Sequence, residues 1–68
     1  MEKELIYDGG QGSIIAELYG YWAENLNAVG TLEYTDTETN KIIKTKEVND
    51  TVQNIDLMVY SDIKKLIK

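Results

Sequence analysis

From Ser13 onward the apolar residues of this 68-residue chain fall at Ile14, Ile15, Leu18, Trp22, Leu26 and Val29, with Tyr19 and Tyr21 on the margins. At about 100° per residue they gather on one side, as an amphipathic helix over 13–29 requires. Ser13 suits an N-cap, and Gly30 falls where a left-handed residue would end the helix. Gly20, in mid-segment, costs a helix about 1 kcal/mol relative to Ala. Ile14, Tyr19, Tyr21 and Trp22 are also good strand residues. Helix is the favoured reading of this stretch and strand the alternative.

Before it, Lys3 to Tyr7 reads as a short first strand that stops at the turn punctuation Asp8-Gly9-Gly10-Gln11-Gly12. After it, Thr31 to Val48 reads as a β-hairpin. Leu32 and Tyr34 alternate with Glu33 and Thr35, and Lys41 to Val48 is rich in Ile, Thr and Lys. The intervening Asp36-Thr37-Glu38-Thr39-Asn40 is turn chemistry, with Asn40 able to take a positive φ. Glu33 is expected to pair across the ladder with Lys44 or Lys46.

In the last segment Asp50 and Gln53 have the spacing of a capping box. Val52, Ile55, Val59, Ile63 and Leu66 then recur at helical intervals, with Lys64, Lys65 and Lys68 complementing the helix dipole. The alternative makes Ile55, Leu57 and Val59 an alternating strand, with Ser61 capping a short terminal helix. The elements together predict one α+β domain over 1–68, ordered β-α-β-β-α: a three-stranded antiparallel-type sheet with two helices. If both ambiguous segments are strands, the alternative is a five-stranded SH3-like or OB-like barrel with a short C-terminal helix.

Composition narrows the chemistry. The chain has no His, Cys, Arg or Pro. It therefore lacks the ordinary proton shuttle, the thiolate nucleophile and disulfide, and the planar fork that reads phosphate or guanine. A domain of this size has little spare stability, and without disulfides or the usual metal ligands self-association is one route to more. Met1-Glu2-Lys3-Glu4 has no apolar run of the secretory type, and no stretch nears the roughly 20 apolar residues of a membrane span. The expected setting is cytoplasmic, away from membranes.

The net charge of −5 is unevenly spread: residues 1–40 hold eight acids and one Lys, residues 41–68 six Lys and four acids. Residue usage (eight Ile, seven Lys, five Asn, five Tyr) fits AT-rich coding, such as that of a low-GC bacterium or its phages.

The candidate chemical motifs fail in detail. Gly10-x-Gly12 opens a dinucleotide-type loop, but Ile15 occupies the third glycine position and no Gly-Lys-Ser/Thr follows. Asp36-x-Glu38-x-Asn40 with Glu47 has calcium-loop spacing, yet Lys41 replaces the required glycine and Lys44 opposes a cation. No pair among the twelve carboxylates is singled out for acid–base work. Lys41, Lys44 and Lys46 with Tyr34 or Tyr60 suggest single-stranded nucleic acid, against the sign of the net charge. Ala16, Gly20, Ala23 and Asn27 form a small-residue side of the expected helix, where another helix could approach. Trp22 is expected in the core.

The expectation is a non-enzymatic protein-binding module without cofactor or metal, of the kind a phage or mobile element uses to inhibit or modulate a host enzyme. Its binding surface would comprise Glu17, Tyr19, Tyr21, Glu24 and Glu33, meeting a host protein through a basic patch. A homo-oligomeric structural or assembly protein is the alternative, and a single-stranded nucleic-acid binder the third reading.

Overall fold

Residues 4–67 are described by the structure, a computed structural model. Four strands run in chain order: β1 (Glu4–Gln11), β2 (Ile14–Trp22), β3 (Ala28–Asp36) and β4 (Lys41–Asp50), followed by helix α1 (Val52–Ile67). They form one antiparallel meander in the order β1-β2-β3-β4, and α1 covers one face.

The α+β class is as expected, but the arrangement is not. Four strands and one helix replace three strands and two helices, and the open sheet with β1 and β4 as free edges also replaces the barrel alternative. The difference lies in residues 13–29. Ile14, Ala16 and Leu18 alternate into the core, so the governing period is two. Ser13 caps no helix. With Gly12 at φ +64° it makes a two-residue turn between Gln11 and Ile14, the Gly-first geometry whose twist suits a hairpin. Gly20 and Gly30 sit opposite each other on β2 and β3. A Cβ on Gly20 would strike the Val29 carbonyl, and one on Gly30 the Tyr19 carbonyl. The small-residue side is likewise dispersed: Ala16 is fully buried and Gly20 faces the Gly30 backbone.

The first strand extends beyond the expected Lys3–Tyr7, running on through Gly9 and Gly10, with Lys3 outside the described residues. Those glycines serve close approach instead of a turn. A Cβ on Gly9 would lie 2.7 Å from the Tyr7 hydroxyl, and one on Gly10 would lie 2.8 Å from the Ile14 carbonyl. Register slips by one residue between Leu5 and Tyr7, which turns Tyr7 to the helix side.

The hairpin expected over 31–48 is present, tied at its turn by the Asn40 amide donating to the Asp36 carbonyl (2.6 Å). Asn40 is at φ +62°. Asp36 Oδ1 accepts the Glu38 amide at 2.9 Å, so the residues with calcium-loop spacing build an Asx-type turn. The Ser13 carbonyl accepts both the amide and the hydroxyl of Thr37 at 2.8 Å, joining the two turns at one end of the sheet.

The continuous helix is also present, capped one residue later than the sequence suggests. Thr51 Oγ1 accepts the Asn54 amide (3.3 Å), while Asp50 Oδ1 accepts from the Thr51 amide and from Asn54 Nδ2. Ile55, Val59 and Ile63 pack on Ile14, Ala16, Leu18, Ala28, Leu32 and Tyr34. Trp22 is outside this core, 49% exposed at the sheet's far end.

Two tyrosines bind the helix to the sheet. Tyr34, fully buried, donates to Asp62 Oδ2 at 2.6 Å, and Lys46 Nζ donates to the same oxygen at 2.9 Å. Tyr7 donates to Asp56 Oδ1 at 2.6 Å. Burial pushes the Asp62 carboxyl up, but the bonds from Tyr34 and Lys46 outweigh it and hold it below the usual range. No described helix is long and apolar enough to cross a membrane.

Candidate interaction face

Because side chains alternate along a strand, the residues opposite the core form a second face, and α1 leaves it uncovered. Register places them in rows across the strands. One row reads Asp8, Glu17, Glu33, Thr45; the next reads Leu5, Tyr19, Thr31, Glu47; beyond it Tyr21, Val29 and Asn49 align. Toward the joined turns Gly10, Ile15, Thr35 and Ile42 line up.

Three carboxylates therefore stand in adjacent positions on neighbouring strands, with Glu17 directly opposite Glu33. Both glutamates are half-buried. Glu47 adds a fourth and accepts the Thr31 hydroxyl at 2.9 Å. Among the described residues no lysine shares this face. Lys44 and Lys46 pair with Tyr34 and Leu32, on the helix side. The expected partnership of Glu33 with Lys44 or Lys46 is thus replaced by Glu33 opposite Thr45, because a pair needs matching strand parity as well as proximity.

The uneven charge along the sequence becomes, in three dimensions, an uneven charge between the two faces. Partial burial, followed by the Glu17 and Glu33 carboxylates, pushes the Tyr19 hydroxyl above its ordinary value. That makes Tyr19 a neutral hydroxyl set beside an acidic row.

Four of the five sequence-designated residues meet here: Glu17, Tyr19, Tyr21 and Glu33. Glu24 does not. It lies exposed in the turn between β2 and β3, where the Ala23 amide bonds the Asn27 carbonyl at 2.9 Å and Leu26 takes φ +68°. Sequence reasoning missed Asp8 and Glu47, which only the register brings into the row and beside it.

Of the residues considered for nucleic acid, Tyr34 is buried and Lys46 is engaged by Asp62, so neither is free to meet a base or phosphate. Tyr60 is exposed, with Lys64 Nζ 5.0 Å above its ring. Among the described residues no three His, Cys, Asp or Glu side chains are grouped to hold a metal ion. Two shallow grooves flank α1, of about 270 and 230 Å³, the first lined by Gly10, Asp56 and Tyr60 and the second by Val48, Asn54 and Met58. No family model matches the chain, and no curated protein or solved structure is significantly similar to it.

Proposed function

We propose that this protein is a non-enzymatic binding module that receives a basic surface of another protein on its uncovered sheet face. One observation carries the reading: Glu17 stands directly opposite Glu33, with Asp8 on the next strand, and among the described residues no lysine on that face offsets them. Like charges directly opposite weaken a sheet. A partner with lysines or arginines relieves that repulsion on binding, and the row's field speeds its approach. Ile15 on one side of the acidic row, and Tyr19, Tyr21 and Val29 on the other, supply apolar and aromatic contact for such an interface. The absence of His, Cys and Arg supports a role in binding over catalysis. Small size and AT-rich residue usage support a phage or mobile-element product that inhibits a host enzyme.

The test is affinity capture from a bacterial lysate at low salt, with the native chain beside a Glu17→Lys, Glu33→Lys double variant. The expected result is a basic protein retained by the native chain and lost by the variant. Equal recovery by both, or none by either, overturns the reading.

A further inference from the structure

We infer that this face also receives the solvent side of α1 from a second copy of the chain, so that molecules associate helix on sheet and head to tail. The inference rests on the reading of the face as a binding surface and names one partner for it. The complementary surface lies on the helix. Ile55, Val59 and Ile63 bury one stripe of α1, and the opposite side sets the apolar Leu57 and Tyr60 among Gln53, Ser61 and Lys64. Leu57 is 69% exposed, and Tyr60 and Ile67 are exposed on the same side, one and several turns on. Lys64 lies above the Tyr60 ring and Lys65 follows it.

A surface helix normally presents charge and polarity outward, and large apolar side chains clustered among them mark a contact surface. Here the outward stripe is apolar and basic, while the uncovered sheet face is apolar and acidic. The sheet already seats this helix on its inner face through aliphatic contacts and carboxylate bonds. Its outer face offers Ile15, Tyr19, Tyr21 and Val29 for the Leu57 and Tyr60 stripe, with Glu17 and Glu33 for Lys64. Lys65 and Lys64 have no acidic partner within salt-bridge distance among the described residues.

The two surfaces face in opposite directions, because α1 packs on one side of the sheet and turns its own outer side away from it. A contact between them cannot close on itself as a symmetric dimer. It leaves one surface free on each copy, so further copies add until a ring closes or a filament grows.

Sedimentation equilibrium of the full chain over a wide concentration range tests this. At low salt the weight-average mass should rise past that of a dimer, and added salt should lower it. Leu57→Glu, which spoils the helix stripe, and Tyr21→Glu, which spoils the sheet face, each replace an exposed side chain. Circular dichroism should first show each variant folded. Either alone should weaken association by about tenfold or more. Mixed, they should form a heterodimer and nothing larger, because each retains the surface that the other has lost.

A monomer at every concentration, a dimer plateau indifferent to both substitutions, or a mixture that stays monomeric overturns the inference. If self-association fails while a basic protein is still captured through Glu17 and Glu33, only the second-copy assignment falls. If both fail, the face is not a binding surface.

Discussion

At the scale of residues, Asp62 is the polar group on which the helix–sheet junction turns. It is buried on α1 and takes two donors on one oxygen, Tyr34 from β3 and Lys46 from β4. Removing a hydrogen bond to a buried charge costs about 1.5–3 kcal/mol. Tyr34→Phe should therefore cost about 2 kcal/mol in urea denaturation. Tyr7→Phe should cost less, about 1 kcal/mol, because its acceptor Asp56 is exposed and water can replace the lost donor.

The Asp62 carboxyl, held below its ordinary range, contributes stability above the unfolded carboxylate value of about 3.9, and that contribution is lost as the pH falls toward the folded value. Asp50 is held low by Asn54 and the Thr51 amide and acts in the same window. Asp62→Asn should thus flatten the acid limb of a stability–pH curve in part, not wholly. Tyr34 and Tyr7 are raised, first by burial and then by their aspartate partners. Their contribution is intact below about pH 10 and declines as the pH rises beyond it. On the opposite face the sign of the mutational effect reverses. Glu33→Gln removes a like-charge opposition and should raise the melting temperature by the equivalent of about 0.2–1 kcal/mol at low salt, an advantage that molar salt should erase.

At the scale of elements, the sequence is legible where one side of a segment is plainly polar. The 31–48 hairpin carries its own turn residues and one apolar arm. In α1 the spacing of Ile55, Val59 and Ile63 marks the buried stripe despite Leu57 and Tyr60 outside. The 13–29 stretch is misread because β2 has apolar residues on both faces. Ile14 and Leu18 inside, combined with Ile15, Tyr19 and Tyr21 outside, imitate helical spacing when read as one set.

The same confusion explains the candidate site. Glu17 and Glu24 lie seven apart and share a helical side, but their parity differs on a strand. Glu17, Tyr19, Tyr21 and Glu33 come together because all four are odd-numbered in strands whose register pairs odd with odd. Asp8 was within reach of the sequence through the Gly12-Ser13 turn, which fixes it opposite Glu17. Gly30→Ala tests the strand assignment at its tightest point. Its Cβ would enter the Tyr19 backbone and should cost about 3 kcal/mol, whereas Ala in a helix C-terminal position would cost far less.

At the scale of the whole molecule, the two faces divide the labour: one is spent on the core, the other holds acids with no basic neighbours among the described residues. The order in which the chain is threaded has a separate, kinetic consequence. Each strand pairs only with its sequence neighbours, through connections of a few residues, so the meander can zip locally without first closing a large loop. The docking of α1 is different: the Tyr7–Asp56 bond spans 49 positions, and that closure gains nothing until the sheet is in place. Stopped-flow refolding should therefore show Tyr7→Phe accelerating unfolding while leaving the folding rate nearly unchanged. With no proline in the chain, it should also show no phase lasting tens of seconds. A polypeptide that folds by zipping and then latching is soon past its open state, leaving little time for its strand edges to find one another.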